Sequence, residues 1–311
     1  RERYAFDCLQ AILYLRLPKR LVEAGFRVDA VIAEYENMIP EKMLILGFHH
    51  YIPSAKLVGF QHGSLYPFML CNFVTHGEAG FAPLPDRVIC NGEFFRDILI
   101  REGLPPERTV IGPALRYAHL WNLASEKAVE SGKPFDVFVP LPLVIDAGVE
   151  LLVKLIKAFE HLRNLRIILK LHPMSSRKEL LGFAEVMEIP SHFKFVEGSM
   201  SDWLYRVRVV ISLSSSIIHE VLAAGVALVV DGREAAIDLN PLGFYADFNR
   251  VFCSPEEIRI ETLRLLSLSS EELSQYSRRG KDVLQVSFNP VTDDSMRVFV
   301  DGLVKGFESS R

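Results

Sequence analysis

Two stretches decide the reading of this chain: Leu169-Lys170-Leu171-His172-Pro173, and Val209-Val210-Ile211-Ser212-Leu213-Ser214-Ser215-Ser216-Ile217-Ile218-His219-Glu220. The first is an apolar, β-rich run that Pro173 must stop, because proline cannot donate to a sheet ladder. His172 is then held on a short turn at the carboxyl edge of a strand, where open α/β sheets bind ligands. A histidine there can donate to an anion or protonate a leaving group; the plain alternative is a residue that closes a loop. The second stretch reads strand, hydroxyl-rich turn, helix. Three serines at a helix start offer hydroxyl donors, backbone N–H groups and the positive end of the dipole. An ordinary N-cap needs only one of them. Glu220 follows one helical turn further in, where it can accept from sugar hydroxyls, and Gly225 closes the helix.

Outward from these stretches the same alternation recurs. Apolar runs of strand length alternate with helix-period segments, the pattern of a parallel sheet covered on both faces. The first part predicts a helix over 4–24 closed by Gly25, strands at 30–33, 56–60, 87–90 and 109–111, and helices at 40–46 and 93–102. The polar stretch 125–134, SEKAVESGKP, is the candidate linker. Beyond it strands are expected at 135–140, 166–171, 194–196, 209–212 and 227–231. Helices are expected at 147–162, 176–186, 201–207 and 217–224, with two or three in the tail, the last at 294–307. Two such arrays imply an α/β protein of two Rossmann-like lobes with a cleft between them. The expected domains are a first lobe over 1–125, a ligand-holding lobe over 135–290, and a final helix in 291–311 packing back on the first lobe.

The first half carries weaker signals of the same kind. Leu57-Val58-Gly59-Phe60-Gln61-His62-Gly63-Ser64 ends a strand in a polar turn, and Gly63 permits close backbone approach. Glu34-Tyr35-Glu36-Asn37 follows the strand at 30–33, with Glu41 a little later. Carboxylates at a strand end suit a general base, with Glu34 and Glu36 the preferred pair and a solvated acidic loop the alternative. Arg116, in Gly112-Pro113-Ala114-Leu115-Arg116-Tyr117, offers a bidentate partner to a phosphate or carboxylate, or else lies along a helix surface.

The bulk figures exclude several classes. The chain has 311 residues, 49% of them hydrophobic, and a formal net charge of −4. That length and apolar content support two packed cores, and scattered Lys and Arg give no reason to expect nucleic acid as a partner. The four cysteines, Cys8, Cys71, Cys90 and Cys253, lie far apart with no C-x-x-C pair, so reduced thiols in a cytoplasmic protein are expected. No apolar run approaches a membrane span. There is no Asp-x-Asp, no G-x-G-x-x-G and no P-loop, and His49, His50 and His76 lack ligand-spaced companions; neither a metal nor a cofactor is expected. The chain begins with Arg1, so it is read as a piece of a longer protein with a first lobe short for its fold.

The His-Pro and triple-serine motifs, in this order on strand ends, resemble the donor lobe of GT-B glycosyltransferases. They are most similar to bacterial surface-polysaccharide enzymes using cytidine nucleotides: sialyl- and Kdo-type transferases, and CDP-glycerol glycerophosphotransferases. Gln61-His62-Gly63 resembles the Q-H-G or H-G element of the same enzymes. With Tyr35-Glu36-Asn37 and the Gly112–Tyr117 stretch, the chain is also similar to uncharacterised surface-carbohydrate biosynthesis proteins across most of its length. The resemblance implies a metal-independent transferase taking a sugar from a nucleotide donor, CMP-linked by preference, to a glycan or lipid-linked acceptor. His172, Ser214, Ser215 and Ser216 would hold the donor phosphate and Glu220 the ribose. Glu34, Glu36 and His62 would do the acceptor chemistry beside Gln61, Gly63 and Arg116. Peripheral association with the inner face of the membrane fits such an acceptor. The acidic motif that supplies the base in many sialyltransferases is not recognisable here. A nucleotide-sugar epimerase or hydrolase of the same fold, and a non-catalytic binding module of a larger assembly protein, are the alternatives.

Overall fold

The computed structural model describes residues 2–125, 133–185, 188–213, 215–234 and 236–308. Most of the expected linker, and Ser214, lie outside the described residues. The chain divides into two compact units. One comprises Arg1–Leu65, Met69–Ala118 and Gln285–Arg311; the other comprises Tyr66–Phe68 and His119–Leu284.

The first unit opens with α1 (Glu2–Glu23), β1 (Ala30–Glu34), α2 (Ile39–Tyr51), β2 (Lys56–Phe60), β3 (Arg87–Cys90), α3 (Glu93–Glu102) and β4 (Thr109–Ile111). Its four strands are parallel and lie in chain order, β1-β2-β3-β4. Their registers align the carboxyl ends: Glu34 lies opposite Phe60, and Cys90 opposite Ile111. α2 runs on to Tyr51, past the expected end at Leu46. Gly47 does not stop it, because this glycine is where the helix meets α1: a Cβ there would lie 2.5 Å from the Leu15 carbonyl oxygen. Helix–helix contact outweighs the small propensity cost of an interior glycine.

The second unit contains α4 (His119–Ser125), β5 (Phe135–Pro140), α5 (Ile145–Phe159), β6 (Ile167–Lys170), α6 (Arg177–Phe183), β7 (Phe193–Val196), α7 (Ser201–Leu204), β8 (Val207–Leu213), α8 (Ile217–Ala223), β9 (Ala227–Asp231), α9 (Pro255–Leu266) and α10 (Ser270–Ser287), which ends inside the first unit. Its sheet is parallel with order β7-β6-β5-β8-β9, the doubly wound Rossmann order without its sixth strand. Val137, Val139, Ile167, Leu169, Val209, Ile211 and Val229 form one face and pack against Leu151, Leu152, Leu155 and Phe159 of α5. The intervening Phe138, Ile168 and Val210 are equally buried. Burial on both faces is why these strands read as unbroken apolar runs rather than alternating ones. The expected helix over 201–207 stops at Leu204, because Val207 already belongs to β8 and pairs with Phe135.

The tail returns to the first unit. The Phe288 ring packs on Phe95 and Tyr117, and the N–H of Asn289 donates to the Asn91 carbonyl. α11 (Asp293–Glu308) then lays Phe299 against Val58 and Ile89 of the first sheet.

Candidate functional site

Chain order reverses once within the second sheet: from β5 the chain steps to β6 on one side and later returns to β8 on the other. Ligands of open α/β sheets bind outside the carboxyl ends at such a switch point. The loops leaving β5 and β8 flank it. The loop after β5 exposes Leu143 and Val144, and the turn after β8 carries Ser215 and Ser216, both half-buried.

Ser216 precedes α8, but its side chain makes no capping hydrogen bond. Its carbonyl, instead, accepts from His219 Nδ1 at 3.1 Å. The hydroxyl is therefore not consumed by the helix, which answers the plain N-cap alternative for this residue. The helix closes at Gly225, with φ +67°, where a Cβ would lie 2.3 Å from Ser277 Oγ; glycine alone fits both the angle and the space.

His172 sits just past β6. Its Nδ1 accepts from the Met174 backbone N–H at 3.2 Å, and its carbonyl accepts from Ser175. An Nδ1 that accepts carries no proton, so the neutral ring keeps its hydrogen on Nε2. The turn thereby presents the histidine as a donor, the form an anion requires.

Glu220 is half-buried in the first turns of α8, and His119 Nε2 of α4 lies 3.5 Å from its Oε1. Burial raises its carboxyl above the ordinary range, and the histidine pulls it part of the way back. His119 carried no signal in the sequence, since nothing in its neighbourhood marks a partner a hundred or so residues downstream.

In the first unit, the turn after β2 gathers most of the other candidates. His62 Nδ1 lies 3.3 Å from Glu34 Oε1, joining the carboxyl ends of adjacent strands. Glu36 lies against Gly63, where a Cβ would sit 2.9 Å from its Oε1; any larger residue would displace the carboxylate. Gln61 is buried and its amide is engaged within the turn. Nε2 donates to the Gly63 carbonyl at 2.8 Å and Oε1 accepts from the Asn91 N–H at 3.0 Å. Asn91, at the end of β3, also donates to the Gly63 carbonyl at 3.1 Å. It went unnoticed in the sequence, although a polar pair after an apolar strand could have marked it. Glu41 is spent on local structure, accepting from the N–H groups of Glu36 and Met38. Arg116 stands exposed on the short turn Leu115–Tyr117, with no ion pair to the Glu34–His62 group among the described residues.

Neither a protein-family model nor a curated protein sequence matches this chain. Solved structures do resemble it over nearly its full length. S. aureus MnaA, solved with UDP, is 13% identical with a TM-score of 0.58, covering 97% of this chain and 82% of that one. The UDP-GlcNAc 2-epimerase from Neisseria meningitidis, solved with UDP-GlcNAc, is 13% identical with a TM-score of 0.53, covering 96% and 81%. A glycosyltransferase from Rickettsia africae ESF-5 is 10% identical with a TM-score of 0.56, covering 96% and 81%.

The fold is GT-B.

At such identities the likeness establishes the GT-B architecture of two Rossmann-like units and nothing finer. Epimerases and glycosyltransferases alike carry it among these neighbours. Among the described residues no group of three or more His, Cys, Asp or Glu is placed to hold a metal ion.

Proposed function

We propose that this protein binds a nucleotide sugar at the carboxyl edge of its second sheet and transfers the sugar to an acceptor hydroxyl, as a glycosyltransferase of surface-polysaccharide or glycolipid assembly. The observation that carries this reading is the state of His172 and Ser216. One is held as an Nε2–H donor and the other as a hydroxyl that makes no capping bond, and no other hydrogen bond among the described residues, on the edge that contains the switch point. With Ser215, and with Ser214 from the sequence, they suit a donor phosphate. Glu220 accepts from ribose hydroxyls in exchange for His119, and Leu143, Val144 and Met174 supply exposed apolar surface to cover a base or sugar ring.

On the acceptor side, Glu34 takes the Nδ1–H of His62, leaving Nε2 as the base. His62 accepts the acceptor's hydroxyl proton, the acceptor oxygen bonds to the anomeric carbon, and the bond from that carbon to the phosphate oxygen breaks. The nucleotide leaves with a donor contact from His172. Gln61 and Asn91 hold the turn, Glu36 stands behind Gly63 as the alternative base, and Arg116 is a further acceptor contact. No metal or cofactor enters this scheme.

We infer a CMP-linked donor from the resemblance of the His-Pro and serine motifs; the UDP ligands of the neighbours favour uridine nucleotides as the rival. A lipid-linked acceptor would place the enzyme peripherally at the inner face of the membrane. No described helix is long and apolar enough to cross one.

A second reading, nucleotide-sugar epimerase or hydrolase, has specific support because several neighbours are UDP-GlcNAc 2-epimerases. Incubation with CMP- and UDP-linked sugars, with and without a glycan acceptor, separates the two. Nucleotide release that requires the acceptor supports transfer. Free or isomerised sugar without acceptor supports the second reading, and binding without turnover overturns both in favour of a binding module.

A further inference from the structure

The carboxyl end of β9 carries a group of charges that the scheme above does not use. Asp231 lies opposite Leu213, the last residue of β8, immediately before the serine turn. Its side chain is fully buried, as is Lys154 of α5. Lys154 Nζ donates to the Gly232 carbonyl at 2.7 Å, to Glu150 Oε1 at 2.8 Å and to Asp231 Oδ1 at 3.3 Å. Glu150 accepts twice more: from the Glu234 N–H at 3.0 Å and from Arg233 Nε at 2.9 Å. Burial works against the Glu150 charge, yet Lys154, the Glu234 N–H and Arg233 outweigh it and hold the carboxyl at about 2.

Taking an ammonium and a carboxylate out of water is costly, and apolar residues of similar size often do as well for stability. This cluster has a visible effect on one neighbour: it fixes the guanidinium of Arg233. Nε is tied down by Glu150, the side chain is about one-third exposed, and among the described residues neither terminal nitrogen has a hydrogen-bond partner. A guanidinium with a tethered Nε and both amino groups open is pre-organised for bidentate contact with an anion. It stands two residues past β9, on the same sheet edge as the serine turn.

We propose that Arg233 binds the phosphate of the nucleotide sugar and that Glu150 and Lys154 are the positioning residues that aim it. The proposal rests on the reading of the second unit as the nucleotide-sugar unit. It adds a cationic contact to a site otherwise made of hydroxyls and a histidine. Because Arg233 addresses the phosphate and not the base, its loss weakens nucleotides while leaving nucleosides alone.

The test is calorimetric binding of UDP, uridine, CMP and cytidine to the wild type and to Arg233→Gln, Arg233→Lys and Glu150→Gln, each checked for fold by circular dichroism. Arg259→Gln, on the exposed face of α9, controls for loss of one positive charge. Arg233→Gln should weaken the preferred nucleotide about tenfold to a hundredfold, as for hydrogen bonds to charged groups, with nucleoside affinity unchanged. Arg233→Lys should recover part of the loss, and Glu150→Gln should show a smaller loss confined to the nucleotide; Arg259→Gln should match the wild type. Equal nucleotide affinity in wild type and folded Arg233→Gln overturns the proposal while the reading of the unit stands. A wild type that binds no nucleotide overturns both.

Discussion

The two sheets of this protein are both parallel and both end in polar turns, yet their carboxyl edges are built differently. In the first unit the strands follow chain order, and the paired groups Glu34, ending β1, and His62, in the turn after β2, have side chains 59% and 33% exposed. In the second, the chain order reverses beside β5, both sheet faces are packed, and behind the serine turn lie the buried pair Lys154 and Asp231 with half-buried Glu150. An exposed pair contributes little to stability and is easily rearranged. A buried cluster is rigid and costly to disturb. The contrast fits a division of labour: one edge whose groups exchange protons with an incoming acceptor, and one edge that holds a charged ligand in a fixed place.

That contrast can be broken most forcefully in the first unit. His62→Ala should lower the turnover rate about 10²- to 10⁴-fold, the usual worth of a general base, while melting temperature stays within a degree or two. Glu34→Gln should give a smaller loss and change the pH profile of the rate. If Glu36→Gln instead gives the larger loss with a normal profile for Glu34→Gln, the base assignment moves to Glu36. Activity equal to wild type in all three would remove chemistry from the first edge.

The second unit should respond in stability and its pH dependence. Burial pushes the Asp231 carboxyl up to about 7, and Lys154 pulls it back only in part. The folded state then holds this proton more tightly than the unfolded chain does. Its contribution is complete below about pH 4 and is lost as pH rises through about 7. Glu150 works oppositely, adding stability above its unfolded pKa and losing it only as pH falls towards about 2. Between about pH 4.5 and 7 Asp231 therefore adds a falling slope of about 2–4 kcal/mol over the window, beside those of the other raised carboxyls, Glu220 and Glu41. Chemical denaturation at several pH values should show a shallower fall in Asp231→Asn than in the wild type, by that amount. An unchanged slope in the variant would mean that this carboxyl does not titrate in the window. The smallest expected effect is on binding: Ser215→Ala should weaken the preferred nucleotide about tenfold, measured by calorimetry, with no change in the pH slope.

Much of the scaffold was legible from local sequence. The strands 56–60, 87–90, 109–111, 135–140 and 227–231 coincide with the observed ones, because short apolar runs bounded by Gly, Pro or polar turns leave a buried parallel strand little alternative. Misreadings came where packing overrode a local signal: the helix expected over 40–46 runs on through Gly47, which is a helix contact, and Val207 reads as helix and pairs in β8. The site was legible only as separate ends of strands. His172 and the serines are local turns and announce themselves. The partnerships that give residues their chemistry do not: Glu34 with His62, His119 with Glu220, and Lys154 with Asp231 join distant segments. Lys154 in particular reads as the polar face of an amphipathic helix, and only the tertiary structure shows it buried.

The central claim is a phosphate site on the second edge, and nucleotide binding tests it most directly. A thermal-shift panel of CMP, CDP, UMP, UDP and GDP should be run on the wild type, Ser215→Ala and His172→Ala. At 100 times its dissociation constant the preferred nucleotide should stabilise the wild type by about 2.7 kcal/mol, with CMP or CDP leading. At the same concentration both variants should show a smaller shift. A uridine or guanosine nucleotide in the lead would correct the donor alone, whereas a wild type that no nucleotide stabilises would contradict the account.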